Sequence, residues 1–146
     1  MKKANNLFRL ILPSRSINEA FARTTVSAFV AQLDPTLDEL ADIKTAVSEA
    51  VTNCIVHAYK DSVGLIYITA RIFDGNRIDV VIKDRGCGIK DVKKAMEPAF
   101  TTSDTDERAG LGFSVMEAFM DSVKVRSKLF SGTSVTMTKY IENNTE

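Results

Sequence analysis

Apolar and polar residues alternate at the start of the chain and then recur at helical spacing. Residues 5–12 alternate well enough to predict a first strand. Ser16 is followed three positions later by Glu19, which is the capping-box pattern that opens a helix. This helix is expected to stop near Asp34-Pro35, because the residue before a proline disfavours helical backbone. The chain is therefore predicted to open with a strand and a helix.

A second capping box follows at once, formed by Thr36 and Glu39. It predicts the longest helix of the chain, running to about Tyr59. Apolar residues fall on one stripe of this helix at helical period, namely Leu40, Ile43, Val47, Ala50, Val51, Cys54 and Ala58.

The middle of the chain has the pattern of a β-hairpin. Residues 64–73 are rich in Ile, Tyr, Thr and Phe, and Asp74-Gly75-Asn76 is a hairpin turn signal. Ile78, Val80 and Ile82 then occupy every second position, which predicts a second strand packed on one face.

The second half of the chain is less regular. Residues 98–110 have no apolar period, which predicts a long mobile loop, and loops of this length are usually functional. Gly110-Leu111-Gly112 is expected to start a short helix that runs to about Met120. Two final strands are predicted, with Val123 and Val125 in the first, Val135 and Met137 in the second, and a turn at Ser131-Gly132-Thr133.

The predicted order is β-α-α-β-β-loop-α-β-β, without the strict strand–helix alternation of a parallel sheet. It indicates an α+β fold of two layers, with helices on one face of a mixed, mainly antiparallel sheet. A length of 146 residues and a hydrophobic content of 45% fit one globular domain over residues 1–146.

Charge and cysteine content narrow the classes of function. The 19 basic and 19 acidic residues balance, which argues against broad nucleic-acid binding but leaves room for a local charged patch. No apolar run approaches the roughly 18 residues of a membrane span. Cys54 and Cys87 fit no metal or disulfide pattern, so a cytoplasmic protein with reduced thiols is expected. His57 is the only histidine, which excludes a His-rich metal site.

Three polar residues share one face of the long predicted helix. Glu49, Asn53 and His57 are spaced by four residues and lie beside the apolar stripe. They could form an ordinary solvated face. They could also supply a carboxylate base and an amide oxygen for Mg²⁺, an ion that takes few protein ligands and keeps water and phosphate in its shell.

Two glycine motifs follow. Asp84-Arg85-Gly86-Cys87-Gly88 ends a predicted strand and fits either a hairpin or the floor of a nucleotide pocket, where the carboxylate accepts from an exocyclic amino group. Gly110-Leu111-Gly112 at a helix start could offer backbone N–H groups to an anion. The P-loop pattern and the GxGxxG pattern of dinucleotide folds are both absent from the sequence.

The ordered combination of these motifs, from Thr36 to Ile141, resembles the GHKL superfamily of ATP-binding proteins, which includes gyrase, Hsp-type chaperones and histidine kinases. The chain is further similar to the sporulation anti-sigma-F family of small serine kinases, which also sequester a sigma factor of RNA polymerase. The stretches that carry this second resemblance are NEAFAR at 18–23, QLDPT at 32–36, SEAVTN at 48–53, FTT at 100–102, GLGF at 110–113 and MEAFMD at 116–121. The resemblance implies the Bergerat fold of that superfamily, a two-layer sandwich that binds ATP and Mg²⁺.

The resemblance also implies roles for individual residues. Glu49 would be the general base that takes the proton of a substrate serine, and Asn53 would ligate Mg²⁺ at the ATP phosphates. Asp84 would bind the adenine amino group, and Thr133 would support the adenine through its hydroxyl. The other nucleotide-binding positions that it implies are Gly86 and Gly88 in the pocket, Gly110, Leu111 and Gly112 at the phosphates, and Thr101, Thr102 and Arg108 in a lid over residues 98–109.

The partners implied by the resemblance are a sigma factor, an anti-anti-sigma protein as serine substrate, and a second copy of the chain. The N-terminal strand and helix, about residues 5–33, would form the dimer or partner surface, with Glu19 and Arg23 as contacts. Neither nucleic acid nor a membrane is an expected partner. The lid departs from the family pattern at Ser103-Asp104, where Lys-Pro is usual.

Alternative functions stay open at this point. Residues 57–60 and 137–140 are also similar to the stress-response anti-sigma-B kinase. The chain could be an ATP-gated module that sequesters a sigma factor without phosphotransfer, or a detached histidine-kinase domain.

Overall fold

Five strands form one open sheet in the computed structural model, which describes residues 3–97 and 107–142 and, for residues 107–111, the backbone alone. The strands are β1 (Asn6–Pro13), β2 (Leu65–Phe73), β3 (Arg77–Asp84), β4 (Ser122–Lys128) and β5 (Gly132–Tyr140). They are arranged in the order β1-β2-β3-β5-β4, and each of the four pairings is antiparallel. The sheet predicted as mixed and mainly antiparallel therefore has no parallel pair among these five strands.

Helices cover one face of this sheet. They are α1 (Ile17–Val30), α2 (Leu37–Asn53), α3 (Val92–Ala95) and α4 (Glu107–Phe119). A 3₁₀ turn over Ala31–Leu33 extends α1, and a π-helical turn over Cys54–Ala58 extends α2. The predicted two-layer α+β sandwich is thereby confirmed. Within the described residues, no helix is both long and apolar enough to cross a bilayer.

The core lies between the helices and the inner face of the sheet. Every second residue of β2 and β3 is buried, including Ile66, Ile68, Ile78 and Ile82. These side chains pack against a single cluster that α1, α2 and α4 complete, with Val26, Val47, Val51, Phe113 and Met116 among its members. Of the predicted stripe on α2, Leu40 and Ala58 are half-buried and the other five residues are buried.

The two predicted capping boxes behave differently. At α2, the Thr36 hydroxyl accepts from the Glu39 N–H at 3.1 Å, and the Glu39 carboxylate accepts from the Thr36 N–H at 2.9 Å. At α1, the box predicted from Ser16 and Glu19 is wrong, because Ser16 has helical backbone and makes no cap bond. The Glu19 carboxylate instead accepts from the hydroxyl of Ser48 on α2.

The two helical segments end where the sequence predicts, and the second ends in a π-helical turn that was not predicted. Asp34 adopts a left-handed backbone with φ of 54°, which ends the first helical segment just before Pro35 as predicted. Helical backbone continues from Leu37 to Ala58, but its last five residues are π-helical. A π turn widens the helix locally and is frequent at functional sites.

Two local predictions in the second half are wrong. Residues 107–110, predicted as loop, are helical, because α4 begins at Glu107 rather than at Gly110. The final turn is at residues 129–131, and Gly132 and Thr133 already belong to β5. The short helix α3 was not predicted; the Asp91 carboxylate caps it by accepting from the Lys94 N–H at 3.0 Å. The rest of the predicted loop, residues 98–106, lies outside the described residues.

Candidate functional site

A cleft opens between α2, α4 and the ends of β3 and β5. Four of the nucleotide-binding positions that the resemblance implies line it together: Asn53, Asp84, Gly88 and Thr133. Its walls are mainly apolar and come from every element around it, including Ala50, Cys54, Ile82, Ile89, Phe113 and Val135. Apolar walls around a few convergent polar groups are typical of a small-molecule site.

Asp84 forms the polar floor of the cleft. Its side chain is buried, and one carboxylate oxygen accepts from the N–H groups of Gly86 at 2.9 Å and Thr133 at 3.2 Å. The thiol of Cys54 lies 3.6 Å from the other oxygen and donates to it. Burial raises the pKa of Asp84, and these three hydrogen bonds partly offset that rise. Burial, followed by the nearby Asp84 charge, raises the pKa of the Cys54 thiol well above its ordinary value, so it stays protonated as a donor.

The loop after Asp84 packs tightly on the π-helical turn. A Cβ on Gly86 would collide with the Ala58 carbonyl, so only glycine allows this approach. The same carbonyl accepts from the Cys87 N–H at 3.0 Å. Gly88 has φ of 74°, and a Cβ there would collide with the Lys128 carbonyl. Both glycines of the motif therefore let the loop lie flat against its neighbours.

Tyr59 fixes the beginning of this loop from the side of the helix. Its hydroxyl donates to the Leu65 carbonyl at 2.7 Å and accepts from the Arg85 N–H at 2.7 Å. A Cβ on Gly64 would collide with the Tyr59 ring, so the ring occupies space that only glycine leaves free. Tyr59 thereby ties the end of the helical segment to the floor of the cleft.

Thr133 is held from both sides at the base of the cleft. Its N–H donates to Asp84, and its hydroxyl lies 2.8 Å from the hydroxyl of Ser127 on β4. Ser127 also accepts from the Ile89 N–H at 2.7 Å. A hydrogen-bonded network therefore joins β3, β4, β5 and the loop after Asp84.

Asn53 lies at the other end of the cleft, against α4. A Cβ on Gly112 would lie 3.1 Å from both the oxygen and the nitrogen of the Asn53 side chain, so glycine brings α4 close. The Asn53 side-chain nitrogen is buried and has no hydrogen-bond partner among the described residues. An unpartnered buried donor costs about 1–3 kcal/mol, which a ligand that accepts from it would recover.

The donor set at this end fits a metal ion that relies mostly on ligands from outside the protein. The described residues contain no group of three or more His, Cys, Asp or Glu that could hold a metal. The Asn53 amide oxygen is of the kind that Mg²⁺ accepts, and Mg²⁺ commonly takes one or two protein oxygens together with phosphate and water.

Glu49 lies one helical turn before Asn53 and does not itself line the cleft. Its side chain is half-buried. The neighbouring Ser48 donates to Glu19 at 2.6 Å, and Arg23 donates to the same Glu19 oxygen at 3.0 Å. Glu19 and Arg23 are therefore brought together on α1 and linked to α2 at the residue before Glu49.

The remaining predicted site residues belong to α4 or lie beyond what is described. Arg108, Gly110 and Leu111 are within α4, so the two outer glycines of the GxG motif lie inside the helix rather than before it. Close packing of Gly112 on Asn53 explains one of these glycines without a turn. Thr101 and Thr102 lie outside the described residues.

Three residues of the network were missed or underestimated in the sequence. Cys54 was placed on the apolar stripe of the long helix and is buried as that stripe predicts, but its thiol also donates to Asp84. Tyr59 and Ser127 were not singled out. Tyr59 directly follows the helical run, and Ser127 breaks an alternation of Val123 and Val125, which is the weak signal that the sequence offers for a polar inward position.

Comparisons with known proteins agree with this architecture. Residues 12–139 match the family model described as a histidine kinase-like ATPase domain. An anti-sigma F factor of Caldanaerobacter subterraneus subsp. tengcongensis is 59% identical over 140 residues, which cover 96% of this chain and 97% of that protein. An anti-sigma F factor of Heyndrickxia coagulans is 48% identical over 137 residues, which cover 93% of each chain.

Solved structures share the fold at much lower identity. The RsbU and RsbW domains of Rv1364c from Mycobacterium tuberculosis superpose with a TM-score of 0.69 and 19% identity, over 94% of this chain and 33% of that one. The histidine kinase domain of a blue-light activated histidine kinase from Erythrobacter litoralis gives a TM-score of 0.55 at 18% identity, over 84% of this chain and 60% of that one. With the family model and the close relatives, these likenesses lead to one conclusion: the chain belongs to the anti-sigma F factor family, within the histidine kinase-like ATPase fold.

Proposed function

We propose that this protein is an anti-sigma factor that binds and inhibits a sporulation sigma factor, and that it also phosphorylates an anti-anti-sigma protein on serine with ATP. The observation that carries the proposal is the cleft, which has a buried, hydrogen-bonded carboxylate at one end and a buried amide nitrogen without a partner among the described residues at the other. The names of the close relatives support the sigma-factor partner, and they do not favour the anti-sigma-B alternative.

ATP would enter the cleft with its base at the Asp84 end. The Asp84 carboxylate is an acceptor for the 6-amino group of adenine, and Thr133 adds a hydroxyl beside it. Gly86 and Gly88 keep the loop flat, so the base can approach the backbone. The apolar walls, including Ile82 and Phe113, remove the faces of the base from water.

The phosphates would then lie toward Asn53, where the buried amide nitrogen needs an acceptor. The Asn53 oxygen would hold Mg²⁺, which neutralises charge on the phosphates when it is bound. The family likeness adds Gly110, Leu111 and Gly112 as phosphate contacts, and Thr101, Thr102 and Arg108 as lid residues over 98–109.

Glu49 would act as the general base for the serine that attacks. It lies on the same face of α2 as Asn53 and one turn away, so the serine hydroxyl would approach between the base and the phosphates. The half-buried position keeps the carboxylate within reach of a docked partner. Catalysis would then rest on orientation of the hydroxyl and removal of its proton.

The partner surface would be formed by the N-terminal strand and helix, about residues 5–33. The edge strand β1 exposes Leu7 and Ile11, and α1 exposes Ile17 and Phe21. Exposed apolar side chains on an unpaired edge strand favour association with another chain. A second copy of the chain would pair along β1, while Glu19 and Arg23 on α1 would contact the sigma factor or the anti-anti-sigma protein.

The experiment that tests this function measures binding of the purified chain to its cognate sigma factor by size-exclusion chromatography, with and without MgATP. We expect a stable complex with MgATP and a complex at least tenfold weaker without nucleotide. Arg23→Ala should weaken the complex, whereas Lys94→Ala on the distant α3 should not. Absence of a complex under every nucleotide condition would contradict the anti-sigma function.

A further inference from the structure

We propose that Ser127 is a positioning residue of the nucleotide site, which orients the Thr133 hydroxyl so that it accepts hydrogen bonds from the base. This inference rests on the proposed binding of ATP. It concerns a residue on β4 that lies directly opposite Thr133 in the β4–β5 register. Ser127 is half-buried. Its neighbours Arg126 and Lys128 are exposed, and successive side chains of a strand alternate between faces, so Ser127 lies on the face of the sheet that the helices cover.

The Ser127 hydroxyl makes three contacts. It accepts from the Ile89 N–H at 2.7 Å, it donates to the Gly132 carbonyl at 3.0 Å, and it lies 2.8 Å from the Thr133 hydroxyl. All three distances are within the range of good hydrogen bonds.

One hydroxyl proton decides the direction of the third contact. The Gly132 carbonyl can only accept, and the Ile89 N–H can only donate. The single Ser127 proton therefore goes to the Gly132 carbonyl when all three contacts are satisfied. The bond between the two hydroxyls must then be donated by Thr133, which leaves the Thr133 oxygen with acceptor capacity and no proton for a ligand.

This direction determines which ligand edge fits the base end of the cleft. Thr133 and Asp84 both line the cleft and would both present acceptors to it. A ligand group with two N–H donors, such as the 6-amino group of adenine, fits two acceptors. A 6-oxo group, as in guanine, meets two acceptors and no donor, so it is disfavoured.

Ser127 also fixes the far end of the loop that follows Asp84. The bond from the Ile89 N–H anchors the loop to β4, next to a bond from the Phe130 N–H to the Cys87 carbonyl at 2.6 Å. Loss of the Ser127 hydroxyl would therefore remove two hydrogen bonds at once. The Thr133 hydroxyl would lose the acceptor that fixes its proton, and the Ile89 N–H would lose the acceptor that anchors the loop.

The test is calorimetric titration with two nucleotides, ATP and purine riboside triphosphate, which is the analogue that lacks the 6-amino group. In Ser127→Ala, we expect up to about tenfold weaker ATP binding, which is the upper end of the effect of losing one neutral hydrogen bond. Binding of the analogue should weaken by about twofold or less, so the preference for ATP falls by up to about fivefold. Ser127→Thr keeps the hydroxyl and should restore most of that preference.

Two further variants separate positioning from general damage. Ser122→Ala removes a serine from the same strand on the opposite face of the sheet, and it should change neither titration. Adding Ser127→Ala to Thr133→Val should cause no further loss of ATP preference, because both act through the same hydroxyl.

The possible results distinguish this inference from the proposed function. Equal weakening of both nucleotides in Ser127→Ala, or no recovery in Ser127→Thr, would overturn the positioning role while leaving ATP binding intact. Failure of the unmodified chain to bind either nucleotide would overturn the proposed function and the positioning role with it.

Discussion

The carboxyl group of Asp84 is buried at the base of the cleft and forms no ion pair among the described residues. It is held by backbone N–H groups and a thiol instead. Such an arrangement keeps the carboxylate in place but does not cancel the cost of burying its charge. Burial of this carboxylate lowers the stability of the fold, and the residue lies at the centre of a cleft. Such a residue is expected at a position that is retained for function rather than for stability.

This cost predicts how stability depends on pH. Burial raises the folded-state pKa of Asp84 above the ordinary value of 3.8, so the folded state holds the proton to higher pH than the unfolded state. Ionisation of Asp84 therefore lowers the free energy of unfolding as pH rises from about 3.8 through the raised pKa. Relative to wild type, Asp84→Asn should gain stability across that interval and weaken ATP binding by roughly tenfold or more.

Urea denaturation of both proteins at several pH values from 4 to 8 tests this prediction. The stability of Asp84→Asn minus that of wild type should increase with pH. A difference that stays constant or decreases with pH would contradict the account of Asp84.

Capping at the element scale offers a direct contrast between two helices with the same sequence signature. Thr36→Ala removes a hydroxyl that accepts from the Glu39 N–H, so the free energy of unfolding should fall by about 1 kcal/mol. Ser16→Ala is the matched control, and it should change stability by less than about 0.5 kcal/mol, because Ser16 makes no cap bond. Chemical denaturation of the two variants measures both values, and similar losses in both would contradict the assignment.

The elements were largely predictable from sequence, and the exceptions have physical reasons. The alternation of apolar and polar residues identified β2 and β3, because each strand has one buried face. Thr36 identified the start of α2, because its capping partner Glu39 is only three residues away in sequence. The Ser16 signal failed because Glu19 finds a better partner in Ser48, which lies 29 positions away in sequence. The start of α4 was missed because its glycine packs against Asn53, a contact that no local pattern reveals.

The sequence singled out several residues that the fold places around one cleft, but it did not reveal how they are hydrogen-bonded to one another. Asp84, Gly86, Gly88 and Thr133 stand in recognisable motifs, and the structure brings them to one place. Cys54, Tyr59 and Ser127 act through hydrogen bonds across the sheet and helices, so only the fold shows their roles. The roles assigned to these motif residues, to Asn53, to Glu49 and to the lid residues remain predictions.

At the scale of the whole molecule, the cleft and the exposed apolar surface lie on different elements. Helices α2 and α4 and the ends of β3 and β5 line the cleft, whereas the edge strand β1 and helix α1 present apolar side chains to the outside. The ion pair of Arg23 with Glu19 and the bond to Ser48 join the outer surface to α2. A partner on α1 would therefore lie close to the helix that carries Glu49.

This arrangement predicts that self-association depends on β1. Ile11 is 58% exposed in the middle of the edge strand, so Ile11→Lys should weaken a dimer by at least tenfold without unfolding the chain. Leu129→Lys is the control, since Leu129 is also exposed but lies in the turn after β4. Sedimentation equilibrium measures both variants, and an unchanged association constant in Ile11→Lys would exclude β1 from the dimer.

The most direct test of the central claim is mass spectrometry of the cognate anti-anti-sigma protein after incubation with this chain and MgATP. The proposed kinase predicts a gain of about 80 Da, the mass of one phosphoryl group, on a serine. Glu49→Gln keeps the size of the side chain and removes its basicity, so it should bind ATP normally and abolish the gain. No gain with the unmodified chain despite ATP binding, or an undiminished gain with Glu49→Gln, would contradict the claim.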